Sequence, residues 1–322
     1  MKPAFSVIFL TTLIGVGQGL FLALFTVESY AAFELLPKQS SQFYSVGSAL
    51  ALVFLVGGLI ASFFHLGRPE RAWRAASQWR TSWLSREVIV LPGFMGSVLL
   101  YGAAHGMDFN PVLAQLPTGA PVNLTAVLGV IGTLLAFTLF VCTGMIYACL
   151  RFLREWHTPL TVINYILLGG ASGFTLAAGY AALAAPALVR FFAGWALVIT
   201  LAGLLGRSAS LWRNARLKPK STLQSAIGIK HPRIVQKTQG AMGGSFNTRE
   251  FFHGVAAPLT RNIKWLFLIT VFVLPASLLA LTKSADALTL TFVVQYCGLI
   301  AERWFFFAQA KHPQNLYYQS VA

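Results

Sequence analysis

Charge is scarce in this 322-residue chain. Only 10% of its residues are Asp, Glu, Lys or Arg, against 56% hydrophobic, and mean hydropathy is +0.67. A soluble domain is usually about a quarter charged. This chain therefore lacks the side chains to cover a water-facing surface, which excludes a soluble enzyme or binding module. Acids are the scarcest charged residues: nine Asp and Glu stand against 24 Lys and Arg, for a net charge of +15. In a soluble protein that balance would point to nucleic acid. Here the basic residues cluster in loops between apolar runs, as in a polytopic membrane protein, so lipid is the expected partner and nucleic acid is not. Cysteine is nearly absent. Cys142, Cys149 and Cys297 lie inside apolar segments and form no C-x-x-C pair. That excludes a disulfide framework and signals no zinc or iron–sulfur site on this chain. No two of the six histidines fall at facing mid-membrane positions, which argues against a b-type haem buried in the bundle.

What the sequence has instead is long apolar runs. A bilayer core about 30 Å thick needs about 20 apolar residues per helix. Eight runs qualify: Phe5–Ala32, Ser45–Leu66, Arg86–Ala104, Pro121–Leu150, Leu160–Ala184, Pro186–Leu211, Lys264–Leu281 and Asp286–Ala310. The first is too long for the h-region of a signal peptide, roughly 7–15 residues, and reads as a retained helix. The fourth is long enough to tilt or project from the membrane. The expected fold is an all-α integral membrane bundle of about eight transmembrane helices, with residues 1–322 as one polytopic domain. With eight spans, 21 of the 24 basic residues fall on the side of both termini. The positive-inside rule then places the N and C termini in the cytoplasm, and a bacterial inner membrane is the expected location.

Two loops on the basic side stand out. Gly67–Ser85 interleaves Arg68, Arg71, Arg74 and Arg80 with Trp73, Trp79 and Trp83, a mixture suited to a membrane interface or the rim of a protein interface. Residues 212–263 form a long basic loop with Lys218, Lys220, Lys230, Arg233, Lys237 and Arg249, and one acid, Glu250. It is too polar for lipid and too poor in apolar residues to fold alone. Docking of an acidic or iron–sulfur-bearing soluble subunit through Arg71, Arg74, Lys218, Lys220 and Arg249 is one reading; contact with anionic lipid is the other.

Ionisable groups at span ends are the candidates for chemistry. His65 closes the second run, and Arg86 and Glu87 open the third. Consecutive helices bring the end of one near the start of the next, so His65 and Glu87 are expected at the same depth. A quinone headgroup needs a donor to a carbonyl and groups that pass protons. Histidine titrates near neutrality, and a desolvated glutamate can relay protons. The plainer alternative is an interfacial cap at His65 and a Glu87–arginine pair. The last run supplies Glu302, Arg303, Trp304 and three phenylalanines, which form either an interfacial ion pair with an aromatic belt or the wall of a pocket. Glu28 lies towards the opposite face, and His105 at the outer end of the third run. His157, His231, His253 and His312 fall in loops or the tail. Gly15-Val16-Gly17-Gln18-Gly19 looks like part of a dinucleotide fingerprint but lies inside a span, so close helix packing is the better account. Ionisable residues concentrated at span ends speak against a transporter or proton-translocating subunit, which needs them near the bilayer centre.

The run His65-Leu66-Gly67-Arg68-Pro69, then Arg71-Ala72-Trp73 and Ser85-Arg86-Glu87, resembles the membrane-anchor subunits (DmsC type) of dimethyl sulfoxide reductase-like molybdoenzymes, within the wider polysulfide-reductase-like anchors. Gln18 and Arg303 also match. The resemblance implies a three-subunit complex in which a molybdopterin catalytic subunit and a four-cluster iron–sulfur subunit dock on a haem-free anchor. That anchor exchanges electrons with ubiquinone or menaquinone. His65 and Glu87 fall on the family's quinone-binding positions, with Arg86, Arg68 and Arg303 beside them and Gln18 and Trp304 as pocket wall. One departure matters. In the dimethyl sulfoxide reductase anchors this face meets periplasmic subunits, whereas here it carries the basic residues. The cytoplasm-facing sulfite dehydrogenase anchors (SoeC type) are therefore the closer resemblance, and the tail Phe306–Tyr318 is similar to theirs. Anchor sequence does not set the direction of electron flow, so a quinol-oxidising reductase anchor remains the alternative.

Overall fold

The computed structural model describes residues 4–115, 121–218, 222–234 and 257–310. Lys220, Arg249, His253 and His312, together with most of the long basic loop, lie outside the described residues. The chain is an all-α, multi-pass membrane protein. Its long helices are α1 (Phe5–Ala32), α2 (Ser41–Phe63), α3 (Trp83–Gly106), α4 (Leu124–Ala148), α5 (Pro159–Ala184) and α6 (Val189–Ala215). Then come α7, built of Ala257–Phe267, a π-helical turn Leu268–Val273 and Leu274–Leu281, and α8 (Ala285–Ala308). Seven of these are long and apolar enough to cross a membrane among the described residues. The remaining long helix, α8, has 24 residues, about 36 Å at 1.5 Å per residue. It carries Asp286, Glu302 and Arg303 and falls outside that apolar set.

Local chemistry sets the boundaries. Ser40 caps α2, accepting from the Phe43 backbone N–H at 3.2 Å. Thr158 caps α5, with Pro159 in its first turn, where the missing N–H costs nothing. Pro186 ends α5 because the residue before a proline is steered out of helical conformation; a short 3-10 turn, Pro186–Leu188, then starts α6. Helix α2 stops at Phe63, so His65 lies beyond the span rather than in its last turn. Helix α3 begins at Trp83, one turn before Arg86. Helix α4 is shorter than the apolar run, since Pro121–Asn123 pairs antiparallel with Val112–Gln115 as a two-stranded ribbon. The Gly67–Ser85 loop carries a 3-10 helix, Pro69–Gln78, with no buried residue.

Helices α1 and α5 form the centre of the bundle. Of their most apolar windows, 72% and 67% of residues are buried, against 28–44% in the other candidate spans. Their sequences explain the difference. Gly15 and Gly19 on α1 face Gly169 and Gly173 on α5, so the two backbones approach as closely as small residues at four-residue spacing allow. The glycine run of α1 is a packing motif, as its place within a span implied.

Candidate functional site

Ser82 caps α3, its hydroxyl accepting from the Ser85 backbone N–H at 3.3 Å. From that start, positions 87, 91, 94, 98 and 101 recur at helical spacing and are all buried. Glu87 is thus carried inward on the same face as Leu91, Phe94, Val98 and Tyr101, and is 7% exposed. Its Oε1 accepts from the Thr143 hydroxyl on α4. From α1, Gln18 donates its Nε2 to the Ala136 carbonyl at 2.8 Å. From α8, the Arg303 guanidinium stacks 3.7 Å from the centre of the Tyr165 ring on α5.

Glu87, Thr143, Gln18, Arg303 and Tyr165 line one small cavity, closed on its apolar side by Phe140, Leu168 and Leu299. The space open to the centre of a water is about 10 Å³, room for roughly one molecule. The site therefore combines a carboxylate, a guanidinium, an amide and a hydroxyl against an apolar wall. Such a set can hold a polar carbonyl compound and exchange protons with it.

Behind the wall lies a feature that run lengths and motifs do not single out. Glu302, wholly buried, takes Arg207 Nε of α6 on its Oε1 at 2.7 Å and Arg303 Nη1 on its Oε2 at 3.2 Å. Arg207 is 2% exposed and lies 5.5 Å from the Phe267 ring. In sequence it looks like one more cation at the start of the basic loop. The available signal was its position four residues inside an apolar run. Removing one partner from such a buried pair typically costs about 3–5 kcal/mol, because the other charge is stranded.

The remaining predicted residues stand apart from the cavity. His65 is exposed in the turn after α2. Partial burial of its ring there lowers its pKa below the ordinary imidazole value. Next to it, Phe64 ends an outward-opening apolar groove of about 360 Å³ between α1 and α2, lined also by Phe9, Leu13 and Ile60. The structure thus brings Glu87, Gln18 and Arg303 together and leaves His65 outside their cavity. Arg86 turns to the loop, donating to the Trp79 and Arg80 carbonyls at 2.9 and 2.8 Å and stacking 4.2 Å from Trp83. Arg68, Arg71 and Arg74 are exposed along the 3-10 segment, beside Trp73 at 70% exposure. Lys218 accepts at its carbonyl from Arg154 Nη1 at 2.5 Å. Trp304 packs against the clusters that hold Phe305, Phe306 and Phe307 rather than lining the cavity.

A second buried polar group sits at the opposite end of the bundle. Glu28 accepts from the Tyr101 and Thr125 hydroxyls, both at 2.6 Å, and lies 3.4 Å from His105 Nε2. Its side chain is only 17% exposed. Three helices are pinned there by one carboxylate.

A sequence model of the DMSO reductase anchor subunit (DmsC) matches residues 1–308. The chain is also 58% identical to a subunit of the sulfite dehydrogenase of Allochromatium vinosum over 325 aligned positions, with both chains covered in full. The match takes in the helices that carry Gln18, Glu87, Thr143, Tyr165, Arg207 and Arg303, and with them the enclosed polar cavity. This multi-pass helical chain belongs to the DMSO reductase anchor subunit (DmsC) family.

Proposed function

We propose that the chain is the membrane anchor and quinone-reactive subunit of a three-subunit molybdopterin and iron–sulfur oxidoreductase, passing electrons from sulfite oxidation in the cytoplasm to the quinone pool. The single observation that carries the quinone reading is the convergence of Glu87, Gln18 and Arg303, from three different helices, on one enclosed cavity at the basic end of the bundle. The sulfite reading rests on full-length identity to a sulfite dehydrogenase subunit. The cytoplasmic sidedness rests on the distribution of Lys and Arg.

The donor set suits a quinone headgroup; the present volume does not. A ring enters only if side chains of the wall move, since the packed glycine backbones on its α1–α5 side leave no slack. A bound quinone supplies an acceptor for two electrons and two protons. The chain's own groups do the rest. Arg303 offers fixed positive charge to a carbonyl oxygen that gains electron density. Glu87, oriented by Thr143, passes a proton at that oxygen. His65, exposed after α2 and neutral at pH 7 because its pKa is lowered, exchanges protons with water. The exposed strip Pro69–Gln78, with Arg71, Arg74 and Trp73, and the exposed Lys218 after α6 form the docking face for the iron–sulfur and molybdopterin subunits.

The test is a pair of activities in the isolated complex. In His65→Ala and Glu87→Gln, quinone-coupled turnover should be lost while dye-coupled sulfite oxidation by the attached partners persists. Equal loss of both would remove the site assignment. A quinol-oxidising anchor of a DMSO- or polysulfide-type reductase is the second reading, favoured by the family to which the chain belongs. Substrate-dependent quinol oxidation without sulfite-dependent quinone reduction would select it.

A further inference from the structure

We propose that Arg207 is a positioning residue for Arg303. Through Glu302, the carboxylate they share, it fixes the Arg303 guanidinium on the cavity wall and keeps a surplus positive charge beside the headgroup. The inference rests on the quinone reading of that cavity.

Geometry comes first. Glu302 and Arg303 are adjacent on α8, and adjacent side chains on a helix point about 100° apart. Arg303 reaches only Oε2, at 3.2 Å. Oε1 is held from the other side, at 2.7 Å, by Arg207 of α6. With Glu302 so clamped, Arg303 keeps its plane over Tyr165 and its place in the lining. Arg207 itself does not line the cavity. Its influence passes through the carboxylate.

Packing alone does not account for the arrangement. Joining α6 to α8 needs no ion pair, since well-packed apolar residues in place of a buried pair are often as stable or more so. Arg207 instead sits 2% exposed, its Nε ion-paired to Glu302 while neither Nε nor Nη2 makes a hydrogen bond among the described residues. Charge gives the reason. Two guanidiniums on one carboxylate give the Arg207–Glu302–Arg303 triad a net positive charge, which faces Glu87 in the cavity lining, in a low-dielectric surrounding where it acts strongly. Electrons arriving on a carbonyl compound there bring negative charge, which that surplus favours. Without Arg207, Glu302 would neutralise Arg303 and draw its guanidinium off the Tyr165 face.

The experiment is a double-mutant cycle in the assembled complex, with decylubiquinone as acceptor. Arg207→Met should lower kcat/KM for decylubiquinone by about tenfold. Arg207→Lys, which keeps the charge, should recover most of that loss. Arg207→Met combined with Arg303→Met should fall no further than Arg303→Met alone, the signature of two residues acting as a unit. Additive losses, a silent Arg207→Met, or a lysine no better than methionine would overturn the proposal. If Arg303→Met itself leaves kcat/KM unchanged, the cavity is not the quinone site and the underlying reading fails instead. Should Arg207→Met not assemble, the same cycle run with the polar but uncharged Arg207→Gln decides: a further loss on adding Arg303→Met equal to that in wild type overturns the proposal, and a smaller one supports it.

Discussion

Gly19 of α1 and Gly173 of α5 meet backbone to backbone: a Cβ placed on Gly173 would lie 2.1 Å from the Gly19 carbonyl carbon. That contact brings Gln18 on one helix and Tyr165 on the other to the same cavity. Helices in lipid gain little from burying apolar surface against each other, so close backbone packing is what holds α1 to α5.

Gly173→Ala should therefore separate the two central helices rather than rearrange a side chain. Overpacking a tight core costs about 1–3 kcal/mol. The expected outcome is a lower unfolding temperature of the detergent-solubilised protein, together with reduced quinone-coupled turnover. Gly93→Ala is the control, because a Cβ there meets no neighbouring atom within 4 Å; equal loss in both variants would show that the α1–α5 approach is not the limiting contact.

The Glu28 cluster makes a different prediction. Glu28 joins α1 to Tyr101 and His105 of α3 and Thr125 of α4, at the end away from the cavity. Glu28→Ala should destabilise the protein by about 1–3 kcal/mol, the cost of leaving buried donors unpaired, while KM for quinone stays unchanged. Thermal unfolding and steady-state kinetics on one preparation check both halves.

Thr143→Val keeps the shape of the side chain and removes the hydroxyl that donates to Glu87. With the carboxylate no longer oriented, quinone-coupled turnover should drop by about tenfold, the worth of one hydrogen bond to a charged group. Thr143→Ser should restore it. Turnover that survives in the valine variant would show that Glu87 is oriented by something else.

For His65, burial disfavours the charged ring, so its pKa is depressed. The ring should then stay neutral down through the ordinary imidazole value of about 6.5 and protonate only below it. The sign carries over to stability: the folded state binds this proton less readily than the unfolded chain, so His65 costs stability as pH falls below about 6.5 and costs none above it. NMR titration of a ring-labelled His65 measures the midpoint directly. A midpoint above 6.5 would mean that a carboxylate reaches the ring.

Much of this was legible in the chain. Apolar runs marked the helices, because a bilayer tolerates no unpaired backbone, and the Pro186 boundary between α5 and α6 was visible as a residue. Glu87 and Arg303 were recognisable as candidates because ionisable groups within apolar runs are rare, and Gln18 only through the family resemblance. What the runs misplaced were their ends. Caps at Ser40 and Ser82 start α2 and α3 about a turn before the apolar runs do, and at its other end α2 stops at Phe63, short of His65. Arg207 was hidden for a related reason. Within a few residues of a basic loop, a buried cation and a solvated one look alike.

Composition and run length are enough to place this chain in a membrane as a bundle of long helices with basic loops and few acids, because both follow from the solvent a segment must face. Which polar residues meet was settled only when the helices packed. Lipid-facing and buried faces of these helices are both apolar, so no periodicity marks the inner face. The phase that turns Glu87 to Thr143, or Arg207 to Glu302, comes from how the neighbouring helices fit together.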